Sequence, residues 1–190
     1  FTVKPGEHAG GAEIRSVDVN YRDLVNDIKV GDIVLVDSGL IRLEVRSKTE
    51  AHIRCCVLTP GTLSSRRHIN LPGADVTLPS LAEKDWSDIE LGCKLKLDYI
   101  AMSFIRNATE VKEVRAFVTK HGHPDILLIS KIENGVGVDN IDEIIEASDG
   151  IMIARGDLGA EIPLETLPWI QDDIAARCRK AGKPVIMATQ

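Results

Sequence analysis

The segment GIMIARGDLGAEIP, residues 150–163, changes character abruptly part-way along its length. Its first five residues are almost wholly apolar, as in a β-strand that is buried on both faces. Arg155, Asp157 and a glutamate then follow within seven residues, interspersed with two glycines. Glycine lets a backbone approach a ligand closely, and a helical turn that starts at Gly156 or Asp157 would direct free N–H groups at an anion. The segment therefore predicts a buried strand that leads into a metal or anion site.

The same alternation of strand and helix patterns runs from Leu81 to the end of the sequence. Four apolar runs predict strands: DYIAMSFI (98–105), DILLISKIE (125–133), GIMIA (150–154) and KPVIMAT (183–189). Repeated strand–helix units are typical of a parallel sheet. Both a doubly wound sheet and a TIM (β/α)8 barrel fit, although the sequence has no GxGxxG turn opening a helix, which weakens the dinucleotide-binding version.

Local signals predict where the helices between these strands begin and end. Ser80 with Glu83 three residues later is the pattern of a capping box. Glycines at positions 122 and 182 are expected just beyond two helix ends. The apolar face of the first helix is expected to include Leu81, Trp86, Ile89 and Leu91.

The first 70 residues have a different texture. VGDIVLVDSGLIRLEVRS (30–47) contains two β-rich runs around a turn-forming DSG, and AHIRCCVLTPG (51–61) predicts another strand and turn. Short strands broken by Gly, Asp and Pro are typical of a small barrel or sandwich. We therefore expect two domains, a β-rich domain over 1–71 and an α/β domain over 72–190.

The composition excludes several classes of protein. A net charge of -6 argues against a nucleic-acid-binding protein, and no apolar run approaches the roughly 20 residues of a membrane span. The four cysteines contain no CxxC pair, and reduced thiols in a cytoplasmic protein are the expectation. The sequence lacks an initial Met and a signal peptide and ends within a strand-like run. We expect it to be a piece of a longer protein.

Polar residues stand at the carboxyl ends of the predicted strands. The first strand reaches Ser103, the second Lys131 and Glu133, the third Asp157 and the fourth Thr189. In a parallel α/β barrel these ends lie on one rim, where active sites form. Lys131 and Glu133 are two residues apart and therefore share one face of their strand.

Two of these residues, Glu133 and Asp157, predict a metal site. Carboxylates on successive strands repel each other unless a cation lies between them, and Mg²⁺ commonly takes one or two carboxylates. The alternative is a pair of surface acids on loops, and the neighbouring lysine favours the metal. Lys131 is either the counter-ion of Glu133 or a cation for a phosphoryl group or a developing enolate. The spacing alone leaves both roles open.

Several long motifs resemble the pyruvate kinase family in order and spacing. They are RRHINLPG (66–73), LPSLAEKDWSDIELG (78–92), DYIAMSFIRNATEVKEVR (98–115), ISKIEN (129–134), SDGIMIARGDLGAEIP (148–163) and GKPVIMATQ (182–190). The resemblance covers almost the whole sequence. It implies strands four to seven of a TIM barrel and most of an all-β lid domain inserted into that barrel. It also implies that the full-length protein is a cytoplasmic enzyme and a homotetramer.

The resemblance also implies an activity and roles for residues. The family transfers a phosphoryl group from phosphoenolpyruvate to ADP, giving pyruvate and ATP. Lys131 would stabilise the phosphoryl group, and Glu133 and Asp157 would hold Mg²⁺ or Mn²⁺. The amides of Gly156 and Asp157 would receive the substrate carboxylate, and the Thr189 hydroxyl would lie near the carbon that is protonated.

In the lid, the resemblance implies nucleotide contacts at Arg66 or Arg67, where the family usually has lysine, and at Asp37. Ser38 departs from the family, which usually has a second acid there. The K⁺ ligands and the phosphate-binding arginine would lie outside this sequence, so we expect the 190 residues alone to be inactive.

Two other functions are compatible with part of the same pattern. A metal-dependent lyase or aldolase acting through a pyruvate enolate would use the same carboxylates on a TIM barrel without a nucleotide lid. The β-rich first domain and the pair Arg66–Arg67 favour the kinase. A non-catalytic binding module is disfavoured because Lys131, Glu133 and Asp157 are all present.

Overall fold

The computed structural model of the protein describes residues 7–9, 12–14, 16–21, 23–37, 39–65, 67–74 and 80–189. The chain divides into two compact units, Phe1–Thr77 and Leu78–Gln190. The division lies six residues beyond the boundary expected between residues 71 and 72 (77 − 71 = 6). That the two units act as lid and barrel domains stays a prediction.

The first unit is built mainly of antiparallel strands. Those described are β1 (Glu7–Ala9), β2 (Ala12–Ile14), β3 (Ile33–Val36), β4 (Ile41–Lys48), β5 (Ile53–Thr59) and β6 (Ile69–Asn70), with one short helix, α1 (Leu24–Asp27). β1 pairs with β2, and the other four form a sheet in the order β5-β4-β3-β6. Val34, Val36, Leu43 and Val45 alternate towards a core that also contains Leu24. The predicted β-rich texture is confirmed here.

The second unit alternates strands with helices, as predicted. In chain order its strands and α-helices are α2 (Glu83–Lys94), β7 (Tyr99–Met102), α3 (Ala108–Lys120), β8 (Leu127–Ile132), α4 (Gly135–Asp139), α5 (Ile141–Ala147), β9 (Gly150–Ala154), α6 (Arg155–Glu161), α7 (Leu167–Ala181) and β10 (Val185–Ala188), with a 3-10 helix (Leu164–Thr166) before α7. The four strands form a parallel sheet in the order β10-β9-β8-β7. Neighbours in sequence are therefore neighbours in the sheet, which is the order of a barrel wall.

One face of the parallel sheet carries the core of this unit. Residues that are register partners on neighbouring strands point to the same side of a sheet. On the core side, most strand residues pack against apolar residues of α2, α3, α5 and α7. The buried strand residues on this face are Met102, Leu128, Ser130, Ile132, Ile151 and Ile153.

The opposite face of the sheet is much more open. Tyr99 is 60% exposed, Ile186 is 44% exposed and Leu127 is 39% exposed. Parallel sheets normally have both faces covered. The open face therefore corresponds to the inner side of a barrel wall, which the side chains of further strands would cover.

Two details of α2 differ from the expectation. The helix begins after Ala82, whose N–H donates to the Asp85 carboxylate at 2.7 Å. Ser80 instead contacts the loop after β7, because a tertiary hydrogen-bond network engages its hydroxyl. Leu91 is exposed, whereas Cys93, for which no such role was predicted, is buried in the core. The predicted capping box and the role of Leu91 were therefore wrong.

Other helix ends follow the local signals. Asn107 and Asn134 cap α3 and α4 by accepting N–H groups of Glu110 and Gly137. Gly122 and Gly182 follow α3 and α7 with φ of 83° and 70°, backbone angles that favour glycine. Among the described residues, no helix is long and apolar enough to cross a membrane.

The core gives a stability prediction that can be tested in the full-length protein. Ile144 on α5 is 0% exposed and Leu91 on α2 is 53% exposed. We expect Ile144→Ala to lower the free energy of unfolding by about 2–5 kcal/mol, because it leaves a cavity in the core. Leu91→Ala, an equally large truncation in a helix, should cost less than about 1 kcal/mol. Denaturant titration measures both, and equal losses would contradict the assignment of the core.

Candidate active site

Lys131 and Glu133 form an ion pair at the carboxyl end of β8. The Lys131 Nζ lies 2.8 Å from the Glu133 Oε1. Glu133 is 1% exposed, whereas the Lys131 side chain is 23% exposed. The pair is thus a buried acid covered by a partly accessible ammonium, so the ammonium presents the positive charge to solvent.

The residues that follow β7 complete the surroundings of this pair. Lys131 Nζ also donates to Ser103 Oγ at 2.8 Å. The Phe104 N–H donates to Glu133 Oε2 at 2.6 Å. Both oxygens of the buried carboxylate are therefore hydrogen-bonded, which offsets the cost of removing it from water.

A second group joins the end of β10 to the start of α6. The Gly156 N–H donates to Thr189 Oγ1 over 3.0 Å. The Arg155 guanidinium donates to the Thr189 carbonyl oxygen, and its Nη1 lies 3.4 Å from Gln171 Oε1. Thr189 has a φ of 61°, a conformation that is uncommon outside glycine. Arg155 therefore helps to hold an unfavourable backbone conformation at this position.

Strand register places both groups at the same end of the sheet. Lys131 pairs with Met152 and Ile132 with Ile153, which brings Glu133 level with the end of β9. Ala188 pairs with Ala154, so Thr189 emerges beside the start of α6. Asp157 lies in the first turn of α6. The expectation of polar residues on one rim therefore holds for the sheet.

The predicted metal ligands fit a hard divalent cation by their chemistry. Mg²⁺ commonly binds through one or two carboxylates and completes its shell with water and substrate oxygens. Each oxygen of a carboxylate has two lone pairs, so the bonds from Lys131 and Phe104 leave acceptor capacity on Glu133. No group of three or more His, Cys, Asp or Glu side chains suited to a metal occurs among the described residues. That Glu133 and Asp157 share one cation therefore stays a prediction.

Two predicted nucleotide contacts meet in the first unit. The Arg67 Nη1 lies 3.2 Å from the Asp37 Oδ1, and Arg67 Nε donates to Ser64 Oγ at 2.5 Å. Asp37 has a φ of 56° in the turn between β3 and β4. Arg66 and Ser38 lie outside the described residues.

Three contributors to the site were not assigned a role from the sequence. Ser103 and Arg155 were visible as polar residues at strand ends, but that signal does not reveal which partner each one binds. Phe104 acts through its backbone N–H, for which the sequence contains no signal. All three bonds join residues 28 to 34 positions apart in the chain.

Comparison with known proteins settles the family. The family described as pyruvate kinase, barrel domain, matches residues 2–190. The chain belongs to the pyruvate kinase family. The partial TIM barrel with its small β domain is therefore the fold of this chain, as predicted.

Relatives in this family come from plants and bacteria. Plastidial pyruvate kinase 3 of Arabidopsis thaliana is 47% identical over 189 residues, covering 100% of this chain and 32% of the relative. Pyruvate kinases of Staphylococcus haemolyticus (46% identical over 174 residues; 90% of this chain, 30% of the relative) and Clostridium perfringens (44% over 190 residues; 100% and 40%) are also similar. The chain thus spans between 30% and 40% of the length of these three pyruvate kinases.

The predicted metal ligands can be tested by Mn²⁺ binding to the full-length protein. We expect Asp157→Asn to lower the affinity for Mn²⁺ at least about tenfold, since changes to the partners of metal ligands alone often cost 10–100-fold. Asp142→Asn makes the same change at an exposed position of α5 and should leave the affinity unaltered. Electron paramagnetic resonance of free Mn²⁺ measures both. An unaltered affinity in Asp157→Asn would show that this acid does not hold the ion.

Proposed function

We propose that the full-length protein containing this chain transfers a phosphoryl group from phosphoenolpyruvate to ADP, giving pyruvate and ATP. The observation that carries the proposal is the Lys131 ammonium, fixed 2.8 Å from a buried carboxylate at the rim of the parallel sheet. Membership of the pyruvate kinase family supports the same reaction. The alternative of an enolate lyase or aldolase receives no support from the relatives.

Lys131 is proposed to stabilise the phosphoryl group as it moves. An ammonium has three N–H donors, and among the described residues Ser103 and Glu133 accept from it. The remaining donor is available for an oxygen of the phosphoryl group. Charge spreads over these oxygens in the transition state, where a fixed cation stabilises it most.

The amides of Gly156 and Asp157 are proposed to receive the carboxylate of the substrate. In this structure the Gly156 N–H donates to Thr189 Oγ1, so the hydroxyl occupies the direction from which a carboxylate would accept. A bound carboxylate would take over this N–H and place the Thr189 hydroxyl beside the carbon that gains a proton. Thr189 is therefore proposed to assist protonation of the enolate.

Glu133 and Asp157 are proposed to hold Mg²⁺ or Mn²⁺. When bound, such an ion supplies positive charge that stabilises the enolate and carboxylate oxygens of the substrate. The protein's own contribution is to keep the Glu133 carboxylate buried and oriented through Phe104 and Lys131.

The first unit is proposed to act as a lid over the nucleotide. Arg67 and Asp37 would contact ADP, and their ion pair keeps the guanidinium beside the turn at Asp37. Arg66 is a further proposed contact for ADP, on the basis of the family resemblance. A dependence on K⁺, a homotetrameric parent and a cytoplasmic location are further proposals that rest on the family.

The role of Lys131 can be tested with Lys131→Met in the full-length protein. This change removes the charge and keeps the length of the side chain. We expect kcat for phosphoryl transfer to fall about 10²–10³-fold, because one preorganised electrostatic contact is lost. The affinity for phosphoenolpyruvate should change little, since the contact strengthens in the transition state.

Exchange of the methyl protons of pyruvate provides an internal control. Enolisation depends on Glu133, Asp157 and Thr189 in this proposal, so its rate should fall less than the rate of phosphoryl transfer in Lys131→Met. Lys120→Met, the same change in the exposed last turn of α3, should alter neither rate. Phosphoryl transfer at near-normal kcat in Lys131→Met would mean that Lys131 is only the counter-ion of Glu133.

The carboxylate seat can be tested with Gly156→Ala. A Cβ at this position would lie 3.2 Å from Thr189 Oγ1, so the hydroxyl would have to move. We expect KM for phosphoenolpyruvate to rise at least about fivefold, as binding there is worth on the order of 1 kcal/mol. Folding stability should not fall, because alanine favours a helix over glycine by about 1 kcal/mol.

Gly135→Ala is the matched control for this substitution. It also adds a methyl group near the start of a helix, where the nearest atom lies at an ordinary contact distance of 3.9 Å. Steady-state kinetics should show no change in Gly135→Ala. Equal kinetics for Gly156→Ala and the unaltered protein would remove Gly156 from the proposed seat.

A further inference from the structure

The Lys131 ammonium is anchored by a neighbouring strand as well as by its own. Its Nζ donates to the Ser103 hydroxyl and to the Glu133 carboxylate, each at 2.8 Å. Register explains the first contact, because Met102 pairs with Ser130 and Ser103 therefore stands beside Lys131. With Glu133 as the single acceptor, the long lysine side chain could adopt several conformations. Two acceptors on adjacent strands define the position of its nitrogen much more closely.

The next residue, Phe104, turns the chain so that its amide reaches the same ion pair. Its φ is 54°, in the left-handed region that a bulky residue seldom adopts. In this conformation its N–H donates to Glu133 Oε2 at 2.6 Å. Ser103 and Phe104 thus bind the cation and the anion of one pair from the same short turn.

Contacts behind the turn hold it in this conformation. The Ser80 Oγ lies 3.0 Å from the Phe104 carbonyl oxygen and 2.7 Å from Glu110 Oε1. Glu110 in turn accepts from the Arg106 N–H at 2.7 Å. A non-glycine residue with positive φ persists when its surroundings over-determine it, and such residues cluster at functional sites. The turn is therefore built as a rigid support.

We propose that Ser103 and Phe104 form a clamp that positions the Lys131 ammonium and the Glu133 carboxylate for phosphoryl transfer. The inference rests on the proposed function. Ser103 is a positioning residue, since it acts by holding Lys131 with one N–H directed towards the open rim. Phe104 does the same for Glu133 through its backbone, so only the Ser103 half of the clamp is accessible to a side-chain substitution.

The test uses Ser103→Ala in the full-length protein, alone and combined with Lys131→Met. We expect Ser103→Ala to lower kcat for phosphoryl transfer about tenfold, at the lower end of the effect of removing such supporting hydrogen bonds. KM for phosphoenolpyruvate should stay within about twofold, because Lys131 contributes mainly to the transition state. In the Lys131→Met background, Ser103→Ala should have no further effect, since residues that act as a unit are not additive.

Two control variants separate positioning from general damage. Ser103→Thr keeps the hydroxyl that accepts from Lys131 Nζ, so it should restore kcat to within about threefold of the unaltered protein. Ser87→Ala removes an exposed serine hydroxyl on α2 that donates to the carbonyl oxygen of Glu83 in the same helix, and should leave kcat unchanged.

The outcomes distinguish the clamp from the proposed function. Absence of phosphoryl transfer in the unaltered full-length protein would remove the proposed function. The clamp is judged separately by the crystal structure of full-length Ser103→Ala, where Lys131 should occupy more than one position. Either of two results for Ser103→Ala would overturn the clamp: a Lys131 side chain that has not moved, or a kcat within twofold of the unaltered protein. A further tenfold loss of kcat when Ser103→Ala is added to Lys131→Met would also overturn it.

Discussion

The buried carboxylate of Glu133 is the constraint on which this end of the molecule depends. An acid that is 1% exposed is tolerated only when it is paired and hydrogen-bonded. Its two oxygens bind Lys131 on the same strand and the Phe104 amide after the neighbouring strand. Loss of Lys131 would leave the buried charge without its ion-pair partner, at a cost of several kcal/mol. Loss of the Phe104 bond would remove a hydrogen bond from the other carboxylate oxygen. The same bonds therefore support both the register of β7 and β8 and the geometry of the candidate site.

The opposite end of the sheet is fixed by a different set of polar contacts. Asp149 pairs with Arg115 and accepts the Leu128 N–H at 2.7 Å. The Arg115 guanidinium also donates to the Ile126 carbonyl oxygen at 2.7 Å. These bonds join α3 to the loops that precede β8 and β9. These contacts hold the strands in alignment at this end, whereas the candidate site lies at the carboxyl ends, which is the division expected of a barrel.

Unusual backbone conformations occur at several residues of the candidate contacts. The described non-glycine residues with positive φ are Asp37, Lys96, Phe104 and Thr189. Three of the four belong to the candidate contacts for nucleotide or substrate or directly support them. Each is held by a long-range bond: Asp37 by Arg67, Phe104 by Ser80 and Thr189 by Arg155. Strained positions of this kind persist because the surroundings stabilise them, which fits a preorganised site.

The four parallel strands can be read from the amino-acid sequence, because buried strands are continuous apolar runs and helices separate them. It also placed Lys131, Glu133, Asp157 and Thr189 at strand ends, since side-chain alternation and strand length are local properties. The long sequence motifs also predicted the family to which the chain belongs. Local patterns failed at Ser80 and Leu91, where tertiary contacts and helix packing decided the outcome.

Which groups bind one another around these residues depends on the three-dimensional fold. The bonds from Ser103 to Lys131, from Phe104 to Glu133 and from Arg155 to Thr189 each span 28 to 34 positions in the chain. Strand register and two left-handed backbone conformations create them. A pattern of residue types along one chain contains no record of register between strands, nor of the direction of a backbone N–H. The supports of the site were therefore fixed by packing and hydrogen bonding in three dimensions.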